Sequence, residues 1–288
     1  MISSIQPSAN DLDLGLIKRP MLIFGGPYSN LQATLSIINQ ANKLDIPPEN
    51  VICTGDIVAY CADPEATTTR VRKWGIHVVM GNCEESLAQG ALDCGCGFED
   101  NSICSQLSTG WYRFARTKVS DNHKLWMSAL PRSIRFRMKD KRFHVIHGGV
   151  KQINRFVFSG SAPHVFEEEL KQTPADVIIG GHCGIPFYRK IRDRHWINAG
   201  VIGMPANDGT SSTWYLLLEP NQSTTGIKAS WHRLAYDHEG AAVAMKDAGL
   251  ITPYADTLSD GLWPSLSVLP EKEKERTGSA IKLGEVVI

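Results

Sequence analysis

The chain has 288 residues, 42% of them hydrophobic, and its 30 lysines and arginines balance its 30 aspartates and glutamates. Without an excess of positive charge it lacks the broad basic face that binds a nucleic-acid duplex, so we expect no duplex partner. Its apolar runs fall short of the roughly 18 residues that a membrane span requires, so we also expect no membrane partner.

The first 20 residues are polar and aperiodic, and we interpret residues 1–20 as a flexible N-terminal arm. Lys18 and Arg19 stand at the wrong end of this segment for a secretory signal, and an apolar central region is missing. Seven cysteines in a chain without such a signal predict reduced thiols and a cytoplasmic location.

From Met21 onward the chain alternates between short apolar runs and amphipathic segments. The pattern predicts, in order, a strand at 21–24, a helix with the apolar face Leu31, Leu35 and Ile38, a strand at 51–53, a helix from Asp63-Pro64 and a strand at 76–80. This β-α-β-α-β order is typical of a parallel sheet covered by helices, and it places the chain in the α/β class.

Beyond residue 131 the predicted strands follow one another closely. They cover residues 132–138, 142–146, 177–180, 187–191, 195–198, 213–219 and 226–234. Two helices are predicted over 238–262, and the charged, proline-containing tail over 264–288 is expected to be partly disordered. We therefore expect one domain over 21–235, followed by a C-terminal helical extension and tail over 236–288.

Polar side chains come directly after four of the predicted strands, each beside a glycine. They are Asp56 in Thr-Gly-Asp, Asn82 in Gly-Asn-Cys-Glu, His147 in His-Gly-Gly and His182 in Gly-Gly-His-Cys-Gly. A lone aspartate or histidine at such a place is more often an ordinary turn residue. Four of them at one edge of a sheet form a nitrogen and oxygen donor set that suits Mn²⁺, Fe²⁺ or Zn²⁺.

The order of these blocks, followed by Asn198-Ala-Gly-Val, resembles that of the calcineurin-like metallophosphoesterase family, and the end of the chain is similar to its bacterial phosphodiesterase-like branch. The resemblance implies a four-layer α-β-β-α sandwich of two mixed sheets with a two-metal site at the strand ends. It also implies that Asp56 bridges two metals and that Asn82, His147 and His182 complete one of the two sites. Cys83 stands where many members have a histidine that assists the leaving group, so Asp56, Asn82 and Cys83 are the candidate catalytic residues.

The ligands of the second metal are missing. Where the family has Asp-x-His after the first strand, this chain has Gly26 and Tyr28, and the final histidine of Gly-His-x-His is Gly184. The sequence therefore predicts one retained divalent ion, with Tyr28 filling the space of the other.

Three interpretations of the remaining half-site stay open. The first is a hydrolase of phosphate mono- or diesters with one metal, in which Gly26, Tyr28 and Ser29 hold an anion at a helix N-terminus. In that interpretation Arg155 contacts phosphate, although a solvated surface arginine is the alternative. The second is a non-catalytic sensor of a small phosphorylated molecule or nucleotide.

The third interpretation is a thiol-assisted metal site. The cluster would consist of Cys83, Cys94, Cys96 and Cys183, because thiolates close to one another favour soft ions such as Zn²⁺. The alternative is that Cys94 and Cys96 only shape a loop. The sequence leaves self-association into a homo-oligomer open.

Overall fold

The computed structural model describes residues 11–99, 102–221, 226–250 and 253–288, which form an α/β protein on two six-stranded sheets. The strands are β1 (Asp11–Ile17), β2 (Met21–Phe24), β3 (Val51–Cys53), β4 (His77–Val78), β5 (Ser133–Met138), β6 (Lys141–Ile146), β7 (Val177–Gly180), β8 (Phe187–Ile191), β9 (Arg194–Asn198), β10 (Thr213–Pro220), β11 (Ile227–Leu234) and β12 (Glu285–Val287). The helices are α1 (Leu31–Lys43), α2 (Pro64–Trp74), α3 (Asn82–Gln89), α4 (Ile103–Lys118), α5 (Asp121–Ser128), α6 (Pro163–Lys171), α7 (His238–Asp247), α8 (Pro253–Asp260) and α9 (Glu271–Lys274).

Both sheets are mixed. The first has the strand order β1-β5-β6-β7-β9-β8, and the second has the order β12-β11-β10-β2-β3-β4. In the first sheet β6, β7 and β9 run parallel, and in the second β2, β3 and β4 do so. The loops at the carboxyl ends of these parallel strands carry the polar residues singled out in the sequence.

Apolar clusters in the described residues separate the layers of the fold. Inward side chains of both sheets, such as Ile23 and Phe136, meet in the central cluster. Side chains of α1, α2, α4, α5, α7 and α8 cover the outer face of the second sheet. Phe166 and Leu170 of α6 cover the outer face of the first. This arrangement confirms the α-β-β-α sandwich of two mixed sheets that the family resemblance implied.

Helix α1 turns a different face to its sheet from the one that the sequence predicted. Its buried residues are Ala33, Thr34, Ile37 and Ala41, whereas Leu35 is 38% exposed. Small side chains let the helix approach the strands closely, so the larger leucine is displaced towards solvent. The predicted apolar face is therefore wrong.

The first described segment is a strand. Strand β1 pairs in parallel with β5, and Nη2 of Arg135 on β5 lies 2.9 Å from Oδ2 of Asp11. The expectation of a flexible arm over 1–20 is therefore wrong for residues 11–17, because an edge strand can recruit them through backbone hydrogen bonds despite their polarity. Residues 1–10 lie outside the described residues.

The C-terminal extension packs onto the domain at several points. Helices α7 and α8 confirm the two helices predicted over 238–262. The tail over 264–288 is folded, since β12 pairs with β11 and the side chains of Leu269 and Ile288 are buried. The expectation of partial disorder there is therefore wrong. Within the described ranges no helix combines the length and apolarity needed to cross a bilayer.

The two sheets approach each other closely at the edge that carries the polar loops. Gly25, after β2, forms a bridge with Val201, and its N–H donates to the carbonyl of Gly200 at 2.9 Å. Gly181, after β7, lies so close to Thr54 that any Cβ at position 181 would collide with the threonine Oγ1. Only glycine fits there, and it allows residues of both sheets to share one site.

Truncation of the chain after Leu262 tests the packing of the tail. We expect the free energy of unfolding to fall by about 3 kcal/mol or more, because burial of a large apolar side chain such as Leu269 or Ile288 stabilises by roughly 1.5–3 kcal/mol. Urea denaturation measures the change, and Val287→Ser at an exposed position serves as the control. An unchanged unfolding midpoint in the truncated chain would contradict the packed tail.

Candidate metal centre

Asp56 is aimed by the sharp turn after β3. Its own backbone lies in the left-handed region with φ 56°, directly after Gly55 with φ 100°. Gly81 approaches the carboxylate so closely that a Cβ at position 81 would collide with Oδ1. The N–H of Cys83 donates to this Oδ1 at 3.2 Å, which leaves Oδ2 to face the neighbouring histidines.

Glu84 holds this turn in place from within the protein. Its fully buried carboxylate accepts the N–H groups of Asp56 at 2.7 Å, Ile57 at 2.8 Å and Gly81 at 2.9 Å. Burial and the charge of Asp56 raise the pKa of Glu84 to about 7. Glu84 was not among the predicted site residues, yet its position three residues after the N-cap Gly81 lets its carboxylate accept the N-cap N–H, which is one half of a capping box.

The four predicted metal ligands meet in one buried cluster. Nε2 of His147 lies 3.0 Å from Oδ1 of Asn82, 2.9 Å from Nδ1 of His182 and 3.3 Å from Oδ2 of Asp56. The ligand atoms of Asp56, His147 and His182 all lie within 4.8 Å of one another. One ion can therefore contact all four side chains after small adjustments.

Two hydrogen bonds outside the cluster decide which atoms point into it. Nδ1 of His147 lies 2.7 Å from the carbonyl oxygen of Thr54, so this nitrogen carries the proton and Nε2 faces the cluster. Nδ2 of Asn82 donates to the carbonyl of Cys94 at 2.9 Å, which turns Oδ1 inward. Both assignments follow from the hydrogen-bond partners.

The cluster gathers acceptor atoms in a region shielded from water. Oδ1 of Asn82 and Oδ2 of Asp56 are acceptors, and the carboxylate of Asp56 raises the pKa of His147 and so favours a proton on Nε2 between them. Burial and the neighbouring His147 lower the pKa of His182 to about 3, so this ring is neutral and its Nδ1 offers a lone pair. A divalent ion in place of the proton on Nε2 would satisfy all these donor atoms, and the residues present therefore fit a metal ion.

Aromatic rings occupy the positions of the missing second set of ligands. A Cβ at Gly26 would lie 2.5 Å from Cζ of Tyr28, so the tyrosine ring covers position 26. A Cβ at Gly184 would lie 3.5 Å from the ring of Trp263, which comes from the C-terminal tail. The corner that lacks metal ligands is therefore lined by one ring from the segment after β2 and one from the C-terminal tail.

The predicted anion site in this corner needs correction. The N–H groups of Gly26, Tyr28 and Ser29 donate to the carbonyls of residues 55, 56 and 57 at 3.0, 3.1 and 2.8 Å. The hydroxyl of Ser29 is buried and accepts the N–H of Ala59 at 3.2 Å. The expectation that these backbone groups and Ser29 hold an anion is wrong, because the neighbouring loop already satisfies them. The ring of Tyr28 still lines the cavity beside Asp56.

The guanidinium of Arg155 is already engaged by two carboxylates. Its two terminal nitrogens contact Glu169 and Glu168 of α6, each at 2.7 Å. These ion pairs with two carboxylates hold the guanidinium against α6. The expectation of a phosphate contact from Arg155 is therefore wrong.

The four candidate cysteines do not form a thiol cluster. Cys94 and Cys96 are joined by a disulfide, whereas Cys83 and Cys183 are separate buried thiols. In the part of the chain that the structure describes, the only group of three or more potential metal ligands is the one formed by the aspartate and two histidines above. The thiol site is therefore wrong, as is the expectation that all seven cysteines are reduced.

Cys83 contributes to the site through its backbone. Its side chain is 1% exposed and belongs to the apolar core, where burial and the charge of Asp56 raise the pKa of the thiol well above its usual range. A buried thiol that holds its proton this tightly is a poor acid, so we correct the predicted role of its side chain at the leaving group. Its N–H instead orients the carboxylate of Asp56.

Glu84→Gln tests the support of the Asp56 turn. We expect a loss of about 2–4 kcal/mol in the free energy of unfolding, because an amide has one acceptor oxygen and leaves buried N–H groups without partners. Glu85→Gln is the matched control, since this neighbour pairs with Arg132 near the surface and its loss should cost less than about 1 kcal/mol. Equal effects in the two variants, measured by urea denaturation, would contradict the role of Glu84.

The affinity for a divalent ion is expected to depend on pH. Burial acts to lower the pKa of His147, but the carboxylate of Asp56 outweighs it and raises the pKa above the usual value. Metal binding must displace the proton from Nε2, so affinity is lost as the pH falls through this raised pKa. We expect Mn²⁺ to bind at least about tenfold more weakly at about pH 5.5 than at about pH 8 in calorimetric titrations. A constant affinity across this range would contradict the assignment.

The chain is similar to known proteins of one family. Residues 29–222 match the profile of the calcineurin-like phosphoesterase superfamily domain. An uncharacterised protein of Methanocaldococcus jannaschii, MJ0912, is 25% identical over 241 residues, which cover 77% of this chain and 90% of that protein.

Two solved structures share the fold. The metallophosphoesterase from Sphaerobacter thermophilus has a TM-score of 0.65 at 20% identity and covers 85% of this chain and 100% of its own. The hypothetical protein PH1004 from Pyrococcus horikoshii OT3 has a TM-score of 0.70 at 12% identity and covers 84% and 98%. Since the superfamily profile matches more than half of its length, the chain belongs to the calcineurin-like phosphoesterase superfamily.

Proposed function

We propose that the protein is a hydrolase of phosphate mono- or diesters that works with one divalent metal ion. The convergence of Asp56, Asn82, His147 and His182, with their ligand atoms directed at one point, is the observation that supports this most. Oxygen and imidazole donors of this kind suit Mn²⁺, Fe²⁺ or Zn²⁺. An ion bound there would polarise a phosphoryl oxygen and lower the pKa of a bound water.

Tyr28 supplies a hydrogen-bond donor on the side where the second ion is missing. It lines the same cavity as Asp56, and burial together with the charge of Asp56 raises the pKa of its hydroxyl well above the usual value. The hydroxyl therefore keeps its proton at physiological pH and is available to a phosphoryl oxygen. In this proposal Tyr28 takes over part of the charge stabilisation that two-metal enzymes obtain from the second ion.

A non-catalytic protein that binds a small phosphorylated molecule or nucleotide is the second candidate. One observation favours it: at Gly26 and Gly184, where two-metal phosphoesterases hold the other ion, the nearest side chains are the rings of Tyr28 and Trp263, which are not metal ligands of that kind. We also propose a cytoplasmic location, which is supported by five free, buried cysteines; the Cys94–Cys96 disulfide is the observation against it.

Metal binding and turnover in matched variants separate these candidates. We expect the full chain to bind one Mn²⁺ in calorimetric titrations. His147→Ala should weaken binding by more than about 100-fold, beyond the 10–100-fold typical of outer partners. His77→Ala, at a half-buried histidine that contacts the carbonyl of Glu49, should leave binding unchanged.

The activity assay uses p-nitrophenyl phosphate, bis(p-nitrophenyl) phosphate and ethyl p-nitrophenyl phosphate, a diester with one small apolar group. We expect turnover of at least one of the three that requires Mn²⁺, survives in His77→Ala and is lost in His147→Ala. Stoichiometric metal binding without turnover of any of the three esters would overturn the hydrolase and leave the non-catalytic candidate.

A further inference from the structure

A cavity of about 60 Å³ opens beside the metal cluster, on the side where the second set of ligands is missing. Asp56 and His182 form its inner end. Aromatic side chains from distant parts of the chain line the rest, namely Tyr28, Tyr60, Phe98, Phe156, Tyr254 and Trp263. A group bound to a phosphoryl centre at the metal cluster would therefore point into an apolar space.

The aromatic side chains that line the cavity, called the wall below, contact one another. The ring of Tyr60 lies 4.9 Å from that of Tyr28 and 4.6 Å from that of Tyr254, measured between centroids. Phe156 lies 4.3 Å from the imidazole of His182. The wall is thus joined directly to a metal ligand, and its aromatic rings have few alternative positions.

The charge of the cavity limits the charge of its ligand. Among the described residues that line it there is neither lysine nor arginine, and Asp56 is the charged group. Arg155, the cation expected nearby, is held by Glu168 and Glu169. A divalent ion beside the carboxylate of Asp56, the neighbouring buried carboxylate of Glu84 and neutral histidines leaves at most one net positive charge. A monoanion therefore leaves less uncompensated charge against the apolar walls than a dianion, for which the cost is larger.

We infer that the site selects phosphodiester or phosphonate-monoester monoanions with a small apolar substituent, and discriminates against monoester dianions and polyphosphates. The inference rests on the proposed function and narrows its substrate class. The substituent is smaller than a phenyl ring, because a cavity that binds benzene measures about 150 Å³. Phe98 contributes to the preference in charge, because it is an apolar side chain at a position where a cation would favour a dianion. Trp263 contributes to the preference in size, because its ring limits the volume of the cavity.

Binding of two inert ligands tests the preference in charge. Methylphosphonate is a dianion at about pH 8.5, whereas its monoethyl ester is a monoanion with the same phosphorus centre and an apolar group. With the Mn²⁺-loaded full chain, followed by ³¹P relaxation, we expect the ester to bind at least about tenfold more tightly, a difference of about 1.4 kcal/mol. Equal binding, or tighter binding of the dianion, would overturn the inference.

Variants of the wall test whether its lack of positive charge causes the preference for a monoanion. Phe98→Arg places a cation in the wall and should shift the affinity ratio towards the dianion by about tenfold or more, a change of about 1.4 kcal/mol. Phe98→Leu should keep the ratio of the unmodified chain. Leu125→Arg adds the same charge at a position that is 72% exposed and should also leave the ratio unchanged. An equal shift in both arginine variants would overturn the role of the wall.

Trp263→Ala tests the preference in size. The enlarged cavity should improve binding of the tert-butyl ester relative to the ethyl ester by about tenfold, while Trp263→Phe should change the ratio less. An unchanged ratio in the alanine variant would overturn the role of Trp263.

The binding tests require no turnover and are therefore independent of the activity assay. If the monoanion preference holds and no ester is hydrolysed, the hydrolase is wrong and the ligand class stands. If esters are hydrolysed and the dianion binds more tightly, the ligand class is wrong and the hydrolase stands.

Discussion

The metal cluster depends on one hydrogen bond, from Nδ1 of His147 to the carbonyl of Thr54. His147 follows a strand of the first sheet, and Thr54 follows a strand of the second, so this bond joins the two sheets at the site. The same bond fixes the proton on Nδ1 and thereby makes Nε2 a ligand atom. Gly181 also approaches Thr54 so closely that a Cβ there would collide with it, and the position of the cluster is therefore consistent with the close packing of the two sheets.

Two of the replacements in the second set of ligands are sterically coupled. The ring of Tyr28 lies over Gly26, so an aspartate at position 26 and the tyrosine ring in its present place exclude each other. At Gly184 a Cβ would meet the ring of Trp263 in ordinary van der Waals contact at 3.5 Å, so the steric exclusion is specific to the Gly26–Tyr28 pair. Among the retained ligands, Asn82 and His147 follow other strands, whereas His182 shares its loop with Gly184.

The ligand set could be predicted from sequence because its signals are local. Each ligand follows an apolar run and stands beside glycine, and parallel strands bring their carboxyl ends to one edge whatever the rest of the chain does. Glu84 carried a local signal as well, through its position in the first turn of α3. The role of Arg155 could not be predicted, because its partners Glu168 and Glu169 belong to a helix whose packing is a tertiary property. The anion site predicted at the N–H groups after β2 was wrong for the same reason, since the carbonyls that accept these N–H groups lie on the loop after β3.

Metal ligands and cavity walls come from different elements, and this separation has a chemical consequence. The ligands lie on short strand-end loops that are fixed by buried hydrogen bonds, such as those of Glu84 to the Asp56 turn. The walls come mainly from other loops and the C-terminal tail, where Phe98 and Trp263 are only partly buried. A substitution in the wall can therefore change the shape and charge of the cavity while the ligand atoms stay in place. Asp56 and His182 are the exceptions, because both belong to the metal cluster and line the cavity, and a change at either would alter the metal cluster and the ligand's surroundings together.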